Sequence, residues 1–192
     1  MFTVQPKNIF YCYGVYQKKF EALTHIKFIH GLPETFDDFF GCCGADSSVA
    51  TAEEPQQQQQ QQQQQTHNLL IIDDLQDEVS NSRAVEQLFT RESHHRNLSI
   101  IYINQNLFYQ GKHSRTIALN THYTVLFRNP RAASQLRTLR SQTGLKHLEE
   151  IYNDVMKNDQ FGYLLIDLSP FSTSRHKLRT HIFPSEDLIV YN

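Results

Sequence analysis

Leu69-Leu70-Ile71-Ile72-Asp73-Asp74-Leu75 is the stretch that decides the fold, because four apolar residues run straight into two adjacent carboxylates. A short continuous apolar run predicts a strand buried on both faces, the kind found in the middle of a parallel sheet. Carboxylates belong at its end only if something offsets the cost of burying charge. A metal ion held between such a carboxylate and nucleotide phosphates does this. The plainer alternative is a strand that exits into an acidic turn, and the neighbouring sequence decides between the two.

Working outward, NIFYCY (Asn8–Tyr13) is apolar, aromatic and closed by Gly14, and IKFIH (Ile26–His30) alternates and is closed by Gly31; both predict strands. Residues 15–23 carry Val15, Phe20 and Leu23 and predict a short helix between them. After the acidic strand, Val85, Leu88 and Phe89 fall at i, i+3 and i+4, with Ser80 or Ser82 as the cap, so an amphipathic helix runs to about Arg91. LSIIYI (Leu98–Ile103) is a second apolar, β-branched strand, ending in Asn104-Gln105-Asn106. YTVLF (Tyr123–Phe127) leads to Asn129-Pro130-Arg131, where Asn129 suits a helix N-cap and Pro130 the first helical position. A further helix over residues 146–156 precedes YLLIDL at 163–168, and residues 178–183 are the last strand-like piece. Strands alternating with helices predict an α/β domain with a mainly parallel sheet.

The sequence has 192 residues, 39% of them apolar and 11% aromatic, which suits one globular domain with a sizeable core. A net charge of −2 excludes bulk attraction to nucleic acid or membrane. The charge is unevenly spread, since Lys112, Arg115, Arg128, Arg131, Arg137 and Arg140 occupy a stretch with no Asp or Glu. That stretch reads either as a polyanion-binding surface or as a solvated helical face. Cys12, Cys42 and Cys43 form an odd set without metal-type spacing, which points to a reducing compartment. With no apolar run long enough to span a bilayer and no basic-then-apolar leader, the expectation is a cytoplasmic or nuclear protein without a membrane partner.

In open α/β sheets ligands bind outside the carboxyl ends of strands, and here Asp73 and Asp74 end one strand while Asn104, Gln105 and Asn106 end the next. An amide both donates and accepts hydrogen bonds, so Gln105 is the candidate for sensing a phosphate or an attacking water. The plainer reading of the second group is an amide-rich turn. With the acidic strand and the amide turn in this order, the functional reading is favoured.

The run SHHRNLSIIYINQNLFYQGKHSRTIALNTHYTVLFRNPRAASQLRTL, with LLIIDDLQDEV before it and FGYLLIDL after it, resembles the DNA-packaging ATPase of Maverick/Polinton-type elements. That family is related to poxvirus-type packaging ATPases in the FtsK/HerA branch of P-loop NTPases. The resemblance covers residues 6–33 and 68–184, including YCYGVYQ and GLPETF. It implies a RecA-like P-loop NTPase sheet, ATP hydrolysis with Mg²⁺, a homo-oligomeric ring and translocation of double-stranded DNA. By the same resemblance Asp73 holds the metal through water, Asp74 stands where the general base belongs and Gln105 is the sensor. Arg131 in Asn-Pro-Arg is the candidate arginine finger, with Arg128 as its competitor. Lys112 and Arg115 are the candidate nucleic-acid contacts.

The chain departs from the family at one point: no Gly-x-x-x-x-Gly-Lys-Ser/Thr occurs in it, and Gly111-Lys112 is followed by His113 and lacks the earlier glycine. The loop's backbone N–H groups and its Lys cradle the phosphates. The expectation is therefore an incomplete sheet, lacking the first strand, the phosphate-binding loop and the first helix. Such a chain is a fragment or decayed copy unable to hydrolyse ATP as written. The alternative is a non-enzymatic remnant of a transposable element that binds nucleic acid or protein. Residues 1–45 and 67–192 are expected to form two parts of one RecA-like domain. Between them residues 46–66, with ten glutamines at 56–65, form an insert too poor in apolar surface to order itself.

Two other constellations compete. His94, His95, His113 and His122 with Asp73 suggest zinc, but adjacent histidines are not a ligand-spacing motif. A metal-dependent nuclease built on Asp73, Asp74, Asp77 and Glu78 would need a carboxylate from another strand, and Asp167 in YLLIDL is the available donor.

Overall fold

A computed structural model describes residues 5–36, 67–93, 97–173 and 176–191. The insert with its glutamines, Cys42, Cys43, His94 and His95 lie outside the described residues. The described residues divide into two compact units, one up to residue 105 and the other from residue 106 onward.

The first unit is built on a four-stranded parallel sheet of β1 (Asn8–Tyr13), β2 (Ile26–His30), β3 (Asn68–Asp73) and β4 (Leu98–Ile103), in the order β2-β1-β3-β4. The acidic heptapeptide supplies a central strand, as its unbroken apolar run requires. Leu70 and Ile72 point to the fully buried face with Phe10 and Cys12, their register partners on β1. The opposite face carries Ile71 and Asp73 beside Tyr11 and Tyr13 and is half-buried. Side chains alternate along a strand, so each register pair shares a face. Asn8 donates a side-chain hydrogen bond to its register partner Asn68 at 2.9 Å, which satisfies a buried amide where the two strands begin.

Residues 15–23 form a short 3-10 turn (Lys18–Ala22) rather than an α-helix. Phe20 stacks on Phe28 with centroids 4.3 Å apart and meets Tyr11 and Tyr13, so this connection covers the half-buried face. After β3 the helix read to Arg91 is broken into α1 (Gln76–Asn81) and α2 (Arg83–Gln87), the latter continued by a π turn over Leu88–Glu92. The break falls at Ser82. Its hydroxyl accepts a hydrogen bond from the N–H of Val85 at 3.3 Å, capping α2 as the sequence predicts while interrupting the helix ahead of it.

The second unit carries α3 (Ser114–Leu119), β5 (Tyr123–Phe127), α4 (Ala133–Thr143), α5 (Leu148–Asn158), β6 (Tyr163–Asp167), β7 (Leu178–Thr180) and β8 (Ile189–Tyr191). Its strands lie in chain order, β5-β6-β7-β8, and every pair is antiparallel. The expected mainly parallel sheet is thus confined to the first unit. A lone crossover helix would return the chain for a parallel strand, but α4 and α5, joined by the short segment 144–147, return it to the same end. Gly144 makes that reversal with φ +68, and its N–H caps the Arg140 carbonyl at 2.9 Å.

α4 begins at Ala133, later than expected. The Asn129 side chain accepts from the Arg131 N–H at 2.9 Å and closes a turn on itself, so it holds the approach to the helix instead of capping it. Leu136 and Leu139 of α4, with Leu148, Tyr152, Val155 and Met156 of α5, pack with Leu126, Leu164, Ile166 and Leu178 of the sheet. Among the described residues no helix is long and apolar enough to cross a membrane.

Candidate functional site

β1 runs on to β2 in one direction across the first sheet, and β3 runs on to β4 in the other. The direction of connection reverses between β1 and β3, and in an open parallel sheet the crevice at such a reversal, outside the carboxyl ends, is where ligands bind. Tyr13 and Asp73 are register partners at that end, followed by Gly14 and Asp74.

The backbones meet closely there. Gly14 donates its N–H to the Asp73 carbonyl at 3.1 Å. A Cβ on Gly14 would fall inside the contact distance of the Asp74 carbonyl oxygen, so only glycine fits without displacement. Asp74 itself sits at φ 57, in the left-handed region, which turns the chain sharply out of the strand and exposes the carboxylate. Asp is one of the few side chains that visits this region readily.

Asp73 is held by a partner. The phenol of Tyr11, two residues back on β1 and on the same face, donates to Asp73 Oδ2 at 2.7 Å. Burial, then the hydrogen bond to Asp73, then the carboxylate charge push the Tyr11 phenol up to about 12, so it stays a donor throughout the neutral range. The hydrogen bond leaves Oδ1 for another ligand. Cys12, next to Tyr11 but on the buried face, has its thiol pushed up to about 11 by burial and is no nucleophile at neutral pH.

Gln105 follows β4, whose register aligns Ile103 with Asp73, so the acidic pair and the amide group occupy the same carboxyl edge. Gln105 is exposed. These three residues, Asp73, Asp74 and Gln105, are brought to neighbouring strand ends as expected. The remaining candidates belong to the second unit. Arg131 is exposed in the turn before α4, Arg128 is exposed just after β5, Lys112 is exposed before α3, and Arg115 is exposed on α3.

Asp167 has a structural role. Its Oδ1 accepts from the N–H and hydroxyl of Ser169, at 3.0 and 2.7 Å, and its Oδ2 pairs with Arg179, so both oxygens are engaged within the second unit, one of them in a part-buried ion pair. Among the described residues no three His, Cys, Asp or Glu side chains group as a metal site. Two adjacent carboxylates do suit Mg²⁺, which takes one or two from the protein and completes its shell with water and substrate phosphate.

Tyr11 and Gly14 are absent from the sequence-based candidates. Their period along β1 is legible, but the register that brings them to Asp73 and Asp74 is set by pairing across the long connection between β2 and β3. Comparisons with protein-family models, with characterised proteins and with solved structures give no match for this chain.

Proposed function

We propose that this chain carries the metal-holding and water-activating half of the site of a viral-type DNA-packaging ATPase, and that as written it does not hydrolyse ATP. The observation that supports this reading most is the juxtaposition of Asp73 and Asp74 with Gln105 at adjacent carboxyl ends of a parallel sheet, beside the reversal of connection. Mg²⁺, when bound with nucleotide, would bridge and neutralise phosphate charge. Asp73, oriented by Tyr11, would hold the ion through water; Asp74, exposed on its left-handed turn, would accept a proton from the attacking water; Gln105 would orient that water. In this RecA-like reading a strand and phosphate-binding loop supplied from elsewhere complete the sheet. Arg131 serves a neighbouring subunit of a ring as its arginine finger. Lys112 and Arg115 contact the phosphates of double-stranded DNA.

The 192-residue chain is expected neither to bind a fluorescent ATP analogue in the presence of Mg²⁺ nor to hydrolyse ATP. A protein extended upstream by an in-frame strand and Gly-x-x-x-x-Gly-Lys-Ser/Thr loop is expected to hydrolyse it. That activity should be lost, by at least about 100-fold, in Asp74→Ala, as removal of a general base commonly does. Stops or unrelated sequence upstream of Met1 in the transcript favour the decayed-copy form, and hydrolysis by the 192-residue chain alone refutes the proposal.

A further inference from the structure

The outer side of β5 presents an uncharged strand, Tyr123-Thr124-Val125-Leu126-Phe127, at the end of the second sheet. Leu168 donates its N–H to the His122 carbonyl at 2.8 Å, which fixes the phase of the β5–β6 ladder. Thr124 and Leu126 therefore direct their backbone groups toward β6, and Tyr123, Val125 and Phe127 direct theirs outward. The side chains of these same three residues lie on the face away from α4 and α5 and are 55%, 38% and 66% exposed. Strands at sheet edges are normally blunted by charge, proline or a bulge; this segment has neither charge nor proline, and its pairing with β6 is regular from Tyr123 to Phe127.

We infer that β5 pairs with β5 of a second copy of this chain, antiparallel about a twofold axis at Val125. The sequence is complementary to itself in that register. Val125 meets the partner's Val125, and Tyr123 and Phe127 meet as two aromatic cross-strand pairs, which is the favourable kind of pairing on an exposed sheet face. The added strand is antiparallel like every other in this sheet, so the two copies form one continuous sheet of eight strands. The Phe127 carbonyl already accepts from the Tyr152 phenol at 2.9 Å and has a second lone pair for the new ladder. Arg128 and the partner's His122 fall opposite each other at the rim. An isologous contact of this kind closes at two copies and is separate from any ring; it does not depend on the ATPase reading.

Sedimentation of the whole chain between about 1 and 100 μM tests this. The expected result is a reversible shift from the 22.5 kDa chain to twice that mass. Val125→Lys should remain a monomer with an unchanged circular dichroism spectrum. Disulfide trapping reads the register itself: in a Cys42→Ser, Cys43→Ser background, Val125→Cys should cross-link with itself. Tyr123→Cys should cross-link with Phe127→Cys and not with itself, because directly opposed residues lie within disulfide reach. A monomer at all concentrations, or association whose trapping pattern ignores this register, overturns the inference.

Discussion

Gly14 shows how one absent side chain shapes the candidate site. Its neighbour across the sheet is the Asp74 carbonyl, and a methyl group there forces the backbone of β1 away from β3. Gly14→Ala is expected to lower stability by about 1–3 kcal/mol, the usual cost of overpacking, and denaturant unfolding checks it. Tyr11 acts on the same carboxylate pair from within the strand. Its folded pKa is raised to about 12 against an ordinary value of 10.0, so its contribution to stability is fully present below about pH 10 and is lost as pH rises through 12. Ultraviolet titration of the folded chain reads this directly: the phenol missing from Tyr11→Phe should be one that ionises near pH 12. Cys12 gives a simpler test. With its thiol raised to about 11 and buried, alkylation of the native chain at pH 8 should leave the Cys12 peptide unmodified in a mass spectrum, and unfolding should expose it.

At the scale of the element, the two sheets are stabilised in different ways. β3 lies between β1 and β4 with Ile71 and Asp73 only half-buried, whereas β6 is buried along its whole length and packs Leu164 and Ile166 with the α4–α5 hairpin. Ile166 faces that hairpin and is fully buried, so Ile166→Ala should destabilise the chain by about 2–5 kcal/mol, the range for deleting a large core side chain; a denaturation midpoint that scarcely moves would show that the hairpin does not rest on β6. The α2 cap is a smaller term. Both the expected helix and its interruption trace to Ser82, because the residue that caps one helix ends the one before it.

For the whole molecule, net charge says little and charge placement says more. The six cations of the acid-free stretch all lie in the second unit, where Arg140 is partly neutralised by Glu149 at 3.4 Å while Lys112 and Arg115 are exposed. If this surface meets DNA as proposed, replacing Lys112 and Arg115 together by Ala should lower the slope of log affinity against log salt by about 2, since each phosphate left unneutralised keeps about one counterion condensed on the DNA. An unchanged slope in a filter-binding or anisotropy series would count against a role for these two side chains.

Strand identity and the position of the acidic pair were legible in the sequence, because a strand's apolar run and a turn's polar residues are local properties. So were Gly14 and Gly31 as strand ends, and a serine cap at Ser80 or Ser82, of which the structure uses Ser82. Helix α3 and strand β8 were not, since Ser114–Leu119 and Ile189–Tyr191 are too short for periodicity to register. Direction was not legible either: YTVLF and YLLIDL read as parallel strands until the α4–α5 hairpin is seen to return the chain to the end it left. The bond between Tyr11 and Asp73 and the close approach of Gly14 to Asp74 were decided by tertiary structure alone. Their partners lie some sixty residues apart, and only the β1–β3 register, a long-range choice that buries Phe10, Cys12, Leu70 and Ile72 on one face, brings them together.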